Sequence, residues 1–311
     1  MKYRRLGKTN LDVSVVGVGT WQLGGEWGKT FEQAQVDAML DKAAELGVNL
    51  IDTAECYGDH LSEQLVGRAI KGRREKWIVA TKFGHRFKER FERDDVYEPA
   101  RVREQLDASL RALQTDYVDL YQFHSGTDEM FRTPGLWEML RGLLESGVVR
   151  HLGISISSSY EGALQIDEAS QVGAGAIQVV YNRLQRRAEE LFFDGATRQD
   201  LGVLARVPLA SGFLSGKYGR DATFSETDVR AVWQSEEKRR DYAEQVEQLR
   251  TEVPEGVPMA QWALAWCLRH PAVTCVIPGC KDVAQVESNA RAADLPMVTT
   301  AHPQTVSGAG K

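Results

Sequence analysis

The chain has 311 residues, 42% of them hydrophobic and 26% charged, proportions of ordinary soluble globular proteins that exclude a disordered or fibrous chain. Thirty-eight Lys and Arg against forty-four Asp and Glu leave a net charge of −6, the wrong sign for a chain that tracks phosphates, so no nucleic-acid partner is expected. No apolar run approaches the ~18 residues of a membrane helix and none of signal type follows the basic amino terminus, so no membrane partner is expected and the chain reads as cytoplasmic.

In chain order, Lys2–Leu6 and Leu11–Val15 flank Gly7-Lys8-Thr9-Asn10 and read as a β-hairpin. Eight strand-type runs follow: Val15–Gly19, Val48–Asp52, Trp77–Lys82, Val118–His124, Val149–Ser155, Ala176–Val180, Gly202–Pro208 and Val273–Pro278. Several are apolar at consecutive positions, the mark of a parallel sheet buried on both faces. Helical spacing fills the intervals over Phe31–Leu46, Leu61–Lys71, Pro99–Leu113, Pro134–Ser146, Tyr160–Ala169, Arg186–Arg198, Pro258–His270 and Val283–Ala292. Pro99, and Thr133 before Pro134, are start signals; Gly47 and Gly147 are stop signals. Eight right-handed β/α units predict one α/β domain, a closed (β/α)8 TIM barrel over residues 1–299, with the hairpin plugging its floor.

Two segments stand outside the repeat. A long insertion after the seventh strand, Tyr218 to Val253, carries the charge run Glu236 to Asp241; it reads as a solvated helix, with a cover over the active site as the other reading. The tail from Thr300 to Lys311 reads as disordered.

Familiar signatures are missed. Gly17 to Gln22 and Gly173 to Gln178 lack the third glycine of a dinucleotide fingerprint, and Gly212 to Lys217 is one residue short of a P-loop. Gly153 to Ser157 lacks the last glycine of a nucleophile elbow. Six histidines show no metal-ligand spacing, so no metal is expected. Cys56, Cys267, Cys275 and Cys280 form no C-x-x-C pair and read as reduced thiols.

Catalytic groups of such a barrel sit at the carboxyl ends of its strands. The second, third and fourth strand ends offer Asp52, Tyr57, Lys82 and His124. A lysine closing an apolar strand needs an anion, and Asp52 on the adjacent strand supplies one. The ammonium would favour the phenolate of Tyr57 and move its pKa toward the working range, making Tyr57 a proton donor. His124 would point an N–H at a carbonyl oxygen. None of these groups delivers hydride, so the set implies a nicotinamide cofactor and a small-molecule carbonyl substrate. Taken singly, each has a plainer explanation: a structural ion pair for Asp52 and Lys82, loop packing for Tyr57, a satisfied strand-end histidine for His124. Their placement at three consecutive strand ends favours the site.

These residues resemble the aldo-keto reductase superfamily over roughly Tyr3 to Ala292. The resemblance rests on Tyr3-Arg4-Arg5-Leu6-Gly7, Gly17-Val18-Gly19-Thr20-Trp21, Asp52-Thr53-Ala54-x-x-Tyr57-Gly58 with Ser62-Glu63, and Pro208-Leu209-Ala210-Ser211-Gly212-x-Leu214-x-Gly216-Lys217. It implies a barrel that binds NADPH or NADP, with Asp52, Tyr57, Lys82 and His124 as the catalytic tetrad. It further implies Ser155 and Gln178 on the nicotinamide carboxamide, Pro208, Leu209, Ser211, Gly212 and Lys217 along the pyrophosphate, and Gly279, Lys281, Gln285 and Asn289 around the adenosine end. Thr20 and Trp21 would flank the nicotinamide and the substrate. Trp21 and Trp27, at the end of the first strand, read from their position as a substrate wall beside Tyr57 and His124, with core packing as the other reading.

Three positions depart from the pattern. Ile156 stands where many relatives carry an asparagine amide, Arg206 where an aromatic often stacks on the nicotinamide, and Gln285 where another arginine often stands. A guanidinium is a poor neighbour for an oxidised, cationic ring, so Arg206 favours reduced cofactor. Lys281 remains to pair with a 2′-phosphate, so NADPH is preferred, with NADH the lesser choice. The loop His85 to Arg90 is expected to face water. The leading reading is reduction of aldehydes, ketones or sugars. The others are an NAD(P)-dependent sugar or polyol dehydrogenase and a cofactor-sensing subunit of the potassium-channel β type.

Overall fold

The computed structural model describes residues 1–159, 162–299 and 302. Strands β1 (Tyr3–Arg5) and β2 (Asp12–Ser14) pair antiparallel, Arg4 opposite Val13. Next come β3 (Val18–Gly19), α1 (Gln33–Glu45), β4 (Leu50–Asp52), α2 (Leu61–Ala69) and β5 (Ile78–Phe83). A second antiparallel hairpin, β6 (His85–Glu89) and β7 (Glu92–Asp95), precedes α3 (Pro99–Leu113) and β8 (Val118–His124). The chain continues through α4 (Asp128–Phe131), α5 (Leu136–Glu145), β9 (Val149–Ser155), α6 (Ala163–Glu168) and β10 (Ala174–Val180). It then forms α7 (Ala188–Leu191), α8 (Phe193–Arg198), β11 (Gly202–Arg206), α9 (Val229–Trp233) and α10 (Glu236–Leu249). It closes with α11 (Met259–Leu268), β12 (Cys275–Val276) and α12 (Val283–Arg291).

Eight parallel strands lie in the order β3, β4, β5, β8, β9, β10, β11, β12. Bridges Val16↔Val276 and Gly19↔Gly279 join the first strand to the last and close the barrel. Helical residues pack on its outer face, as in α5, where Leu136, Leu140 and Leu143 at helical spacing are buried. Inside, Leu6 and Val13 of the first hairpin meet Leu50, Ala80, Leu120, Ala176, Leu204 and Cys275, so the hairpin plugs the floor. Gly202 makes this close approach possible, since a Cβ there would lie 2.5 Å from Leu6. The opposite end, where the strands finish, opens into a cleft.

Several expectations need correction. The segment Arg186–Arg198 is two helices broken at Phe192, whose backbone at φ −128° leaves the helical range, and Phe192 and Phe193 are both buried at the break. Thr133 does not cap the fifth helix: its Oγ1 donates to the Met130 carbonyl, and Gly135, at φ 76°, stands at the N-cap instead. The insertion is two things at once. Ser235 caps α10, which buries Tyr242, Ala243, Val246 and Leu249 and leaves most of the charge run in solvent, while α9 turns Arg230 and Trp233 to the open end of the barrel. The start of the helix expected over Tyr160–Ala169 and, His302 apart, the tail from Thr300 lie outside the described residues. Among the described residues no helix is long and apolar enough to cross a membrane. All four cysteines are buried and unpaired.

Candidate active site

Side chains alternate along each strand, so the residues that point inward form layers, and above the apolar floor comes a polar one. Two positions beyond Leu50 is Asp52, beyond Ala80 is Lys82, beyond Leu120 is Gln122, and beyond Ala176 is Gln178. Lys82 Nζ donates to Asp52 Oδ1 at 2.7 Å, to the Thr53 carbonyl at 2.6 Å and to the Tyr57 hydroxyl at 3.3 Å. The amides of Gln122 and Gln178 donate to Asp52 Oδ2 at 3.2 and 2.7 Å. Asp52 is thus held by three donors, and Lys82 is fully buried.

Burial works against the charged form of Lys82, but Asp52 and the Tyr57 hydroxyl outweigh it and raise its pKa, so it stays an ammonium. Burial pushes the Tyr57 phenol up to about 12 even though Lys82 pulls it down. The phenol is thus raised, not lowered as the sequence suggests, because desolvation exceeds the field of one ammonium that Asp52 already offsets. Burial, helped by His85, Lys82, Arg206 and Arg93, drives His124 well below the usual histidine range. Its imidazole is neutral and keeps one N–H.

Tyr57 reaches this layer on the tight loop after β4. Gly24 and Gly58 let the loops of the first and second strands cross, since a Cβ on Gly58 would lie 2.4 Å from the Gly24 carbonyl oxygen. Ser62 bridges the same loops, its Oγ 2.8 Å from Thr20 Oγ1 and 3.0 Å from Thr53 Oγ1. Glu63, fully buried, accepts from Thr81 Oγ1 and contacts His60 Nδ1 at 2.5 Å.

The tetrad opens into a cleft of about 580 Å³. Asp52, Tyr57 and His124 line it, with Thr20, Trp21, Trp27, Gln178 and Arg206 around them. Pro208, Leu209, Ser211, Gly212, Lys217, Gly279, Lys281, Gln285 and Asn289 line its long arm. Of the site residues expected from sequence, Lys82 and Ser155 lie behind the lining, both with no exposed surface. Ser155 Oγ has no hydrogen-bond partner among the described residues.

Residues 207–212 carry unusual backbone: Val207, Ala210 and Ser211 have φ of 54°, 47° and 57°, and Gly212 has 94°. A β-branched residue at positive φ is strained, and such strain gathers where a backbone is held for a ligand. The Asn182 amide donates to the Val207 carbonyl at 3.0 Å and fixes the turn. Arg206, Lys217, Arg230 and Lys281 all line this arm, so it is cationic. An unpartnered buried hydroxyl, a strained loop and clustered cations fit a dinucleotide with its carboxamide at Ser155 and its phosphates along the arm.

Other lining residues were not foreseen. Trp233 of α9 packs on Trp21, ring centroids 5.6 Å apart, and Trp21 lies nearly parallel to the Tyr57 ring at 5.9 Å. Buried Glu26 accepts from Trp21 Nε1 at 2.7 Å and from Arg93 at 2.5 Å, tying the loop of the first strand to the β6–β7 hairpin. The loop expected to face water divides. Arg86, Lys88, Glu89 and Arg90 are exposed, but His85 turns into the cleft, as does Arg93 beyond the turn.

A model described as "Aldo/keto reductase family" matches residues 15–306. The chain is 33% identical over 303 residues to "Uncharacterized oxidoreductase YqkF" of Bacillus subtilis, covering 96% of this chain and 93% of that one. It is 32% identical over 300 residues to "Aldo-keto reductase yakc [NADP(+)]" of Schizosaccharomyces pombe, covering 92% and 85%. Among solved structures it is similar to aldo-keto reductase AKR11C1 from Bacillus halodurans in its holo form, at TM-score 0.80, 32% identity and coverage of 96% and 93%.

Proposed function

This chain belongs to the aldo/keto reductase family, and on that footing we propose that it reduces the carbonyl of an aldehyde, ketone or sugar with NADPH, Tyr57 giving the proton. The observation that carries the reading is the Tyr57 hydroxyl 3.3 Å from a buried, Asp52-anchored ammonium at the wall of the cleft. Thr20, Ser155, Gln178, Arg206, Ser211, Lys217 and Lys281 would hold the cofactor. When bound, it supplies the hydride that no side chain can.

The protein's own part is to place and balance charge. His124, neutral, offers an N–H to the carbonyl oxygen and orients it. Tyr57 holds its proton at neutral pH because burial keeps the phenol up. As negative charge grows on the substrate oxygen, the proton leaves Tyr57 Oη, and the phenolate left behind is stabilised by the Lys82 ammonium. Asp52 and its amide donors keep that ammonium from moving. Trp21, Trp27 and Trp233 narrow the cleft beside the reacting carbonyl and exclude water. Lys281 favours the extra phosphate of NADPH, and the "[NADP(+)]" in the name of the fission-yeast relative points the same way.

The test is a panel of aldehydes, ketones, sugars and polyols with NADPH, NADP, NADH and NAD, read as kcat/KM. We expect the highest values for carbonyls with NADPH. Higher values for polyols with an oxidised cofactor would reverse the direction. Tight cofactor binding without turnover would replace the reaction with a sensing role of channel-subunit type. Tyr57→Phe should lower kcat about 10²- to 10⁴-fold while NADPH still binds with unchanged fluorescence enhancement. Equal loss of both would remove Tyr57 as the acid.

A further inference from the structure

Beside His124 lies a second group of polar side chains, from Glu55 and Cys56, that carbonyl reduction does not use. Cys56 Sγ is 3.9 Å from His124 Nδ1. A carboxylate oxygen of Glu55 completes a set of three ligand atoms, one from each residue, all within 4.8 Å of one another. Glu55 is buried at 3% exposure, and its Oε1 accepts the His85 backbone N–H at 3.1 Å. Its Oε2 is buried and has no hydrogen-bond partner among the described residues. A buried carboxyl oxygen without a donor is costly, which makes this oxygen an unexplained feature.

We propose that Glu55, Cys56 and His124 form a binding site for a borderline-soft divalent transition metal ion, Zn²⁺ or its probe Co²⁺. One sulfur, one imidazole nitrogen and one carboxylate oxygen is the donor set such ions take, and it is a poor set for Mg²⁺ or Ca²⁺. With metal–ligand bonds of about 2.0–2.3 Å, tetrahedral ligands stand roughly 3.5 Å apart, so side-chain shifts of about an ångström or less close the site. The fourth position faces the cleft that Cys56 and His124 line, and the cleft is the entry path. Arg93 lies against the Cys56 thiol and pairs with Glu26 at 2.5 Å, so the ion must take the place of its contact with the sulfur while Glu26 keeps the guanidinium charge balanced. Binding displaces the thiol proton of Cys56 and leaves the thiolate on the metal. It also ties Nδ1 of the imidazole that orients the substrate, so an occupied site inhibits turnover.

The test adds Co²⁺ to the purified full-length protein without cofactor or substrate. The expected result is one equivalent bound, with a thiolate-to-cobalt charge-transfer band and the intense visible bands of tetrahedral cobalt, displaced by Zn²⁺ and lost with EDTA. Cys56→Ala should abolish the charge-transfer band, and Glu55→Gln should weaken binding about 10- to 100-fold or more. Far-UV circular dichroism reports that each variant is folded, and either variant alone suffices. Absence of the band in the wild-type protein, or its survival unchanged in Cys56→Ala, would overturn the site. The readout is spectroscopic, so it stands apart from whether the protein reduces carbonyls.

Discussion

Lys82→Met removes the one cation in the polar layer and keeps the length of the side chain. The side chains of Lys82 and Asp52 are 0% and 4% exposed, so the variant leaves a carboxylate in a dry site with only the amides of Gln122 and Gln178 for donors. The Thr53 carbonyl loses its 2.6 Å donor as well. Breaking a buried pair from one side costs about 3–5 kcal/mol. With an unfolding entropy of about 2.1 cal/mol/K per residue, the 311 residues give about 0.65 kcal/mol/K at the midpoint, so Tm should fall about 5–8 °C. Asp52→Leu/Lys82→Met takes away both charges and should recover most of that loss, since apolar replacement of a buried pair is near neutral or stabilising. Scanning calorimetry at pH 7 measures all three proteins. A fall under about 2 °C in the single variant, or a double variant no more stable than the single, would refute the account of the layer as a charge pair held by desolvation.

Gly67 of α2 faces α3 so closely that a Cβ would lie 2.5 Å from the Leu113 backbone. Alanine gains about 1 kcal/mol of helix propensity but meets immovable atoms costing typically 1–3 kcal/mol or more, so Gly67→Ala should lower stability in urea titrations. For His60, burial pulls the pKa down but the buried Glu63 carboxylate beside it wins and raises it. A histidine raised on folding contributes stability fully present below about pH 6.5 and lost as pH rises through its folded pKa. The cost of His60→Gln, about 1.5–3 kcal/mol for a charged hydrogen bond, should therefore shrink between pH 6 and pH 9. Trp233, half-exposed and tilted against Trp21, lines one side of the cleft. Trp233→Ala should raise KM for aromatic carbonyls severalfold and leave kcat within about twofold, as steady-state kinetics will show.

The barrel was legible because each β/α unit announces itself: consecutive apolar residues bury a strand on both faces, and helical spacing covers it. That Asp52, Tyr57, Lys82 and His124 come together was legible because three of them sit at strand ends and Tyr57 on the short loop after one, where position along the chain determines position in space. Other residues reach the cleft by routes that local pattern does not encode. Trp233 and Arg230 arrive on the insertion, whose charge run advertises only its solvated half. Arg93 and His85 arrive through the register of β6 on β7, in a stretch where charge alternates and either face suits water. Gln122 points inward beside Asp52 because Leu120 does so two residues earlier, a period-two signal hidden in a strand buried on both faces. The phenol of Tyr57 shows the limit of pairwise reasoning, since an adjacent ammonium was visible in sequence and the depth of burial was not.

The bridges between β3 and β12 bear on how the molecule responds to its ligand. Both strands are two residues long, and the Gly17, Gly19 and Val276 amides carry the junction with bonds of 2.8–3.0 Å. No side chain reinforces it from Gly19, where a Cβ would lie 2.7 Å from the Ile277 carbonyl oxygen. The staves of this cask meet at a short, bare hasp. Thr20 on one side of it and Pro278, Gly279 and Lys281 on the other all border the cleft, so an occupant that grips both sides fastens it. The same three amides should exchange their hydrogens ahead of the other staves in the ligand-free protein and fall into step with them once a dinucleotide is in place.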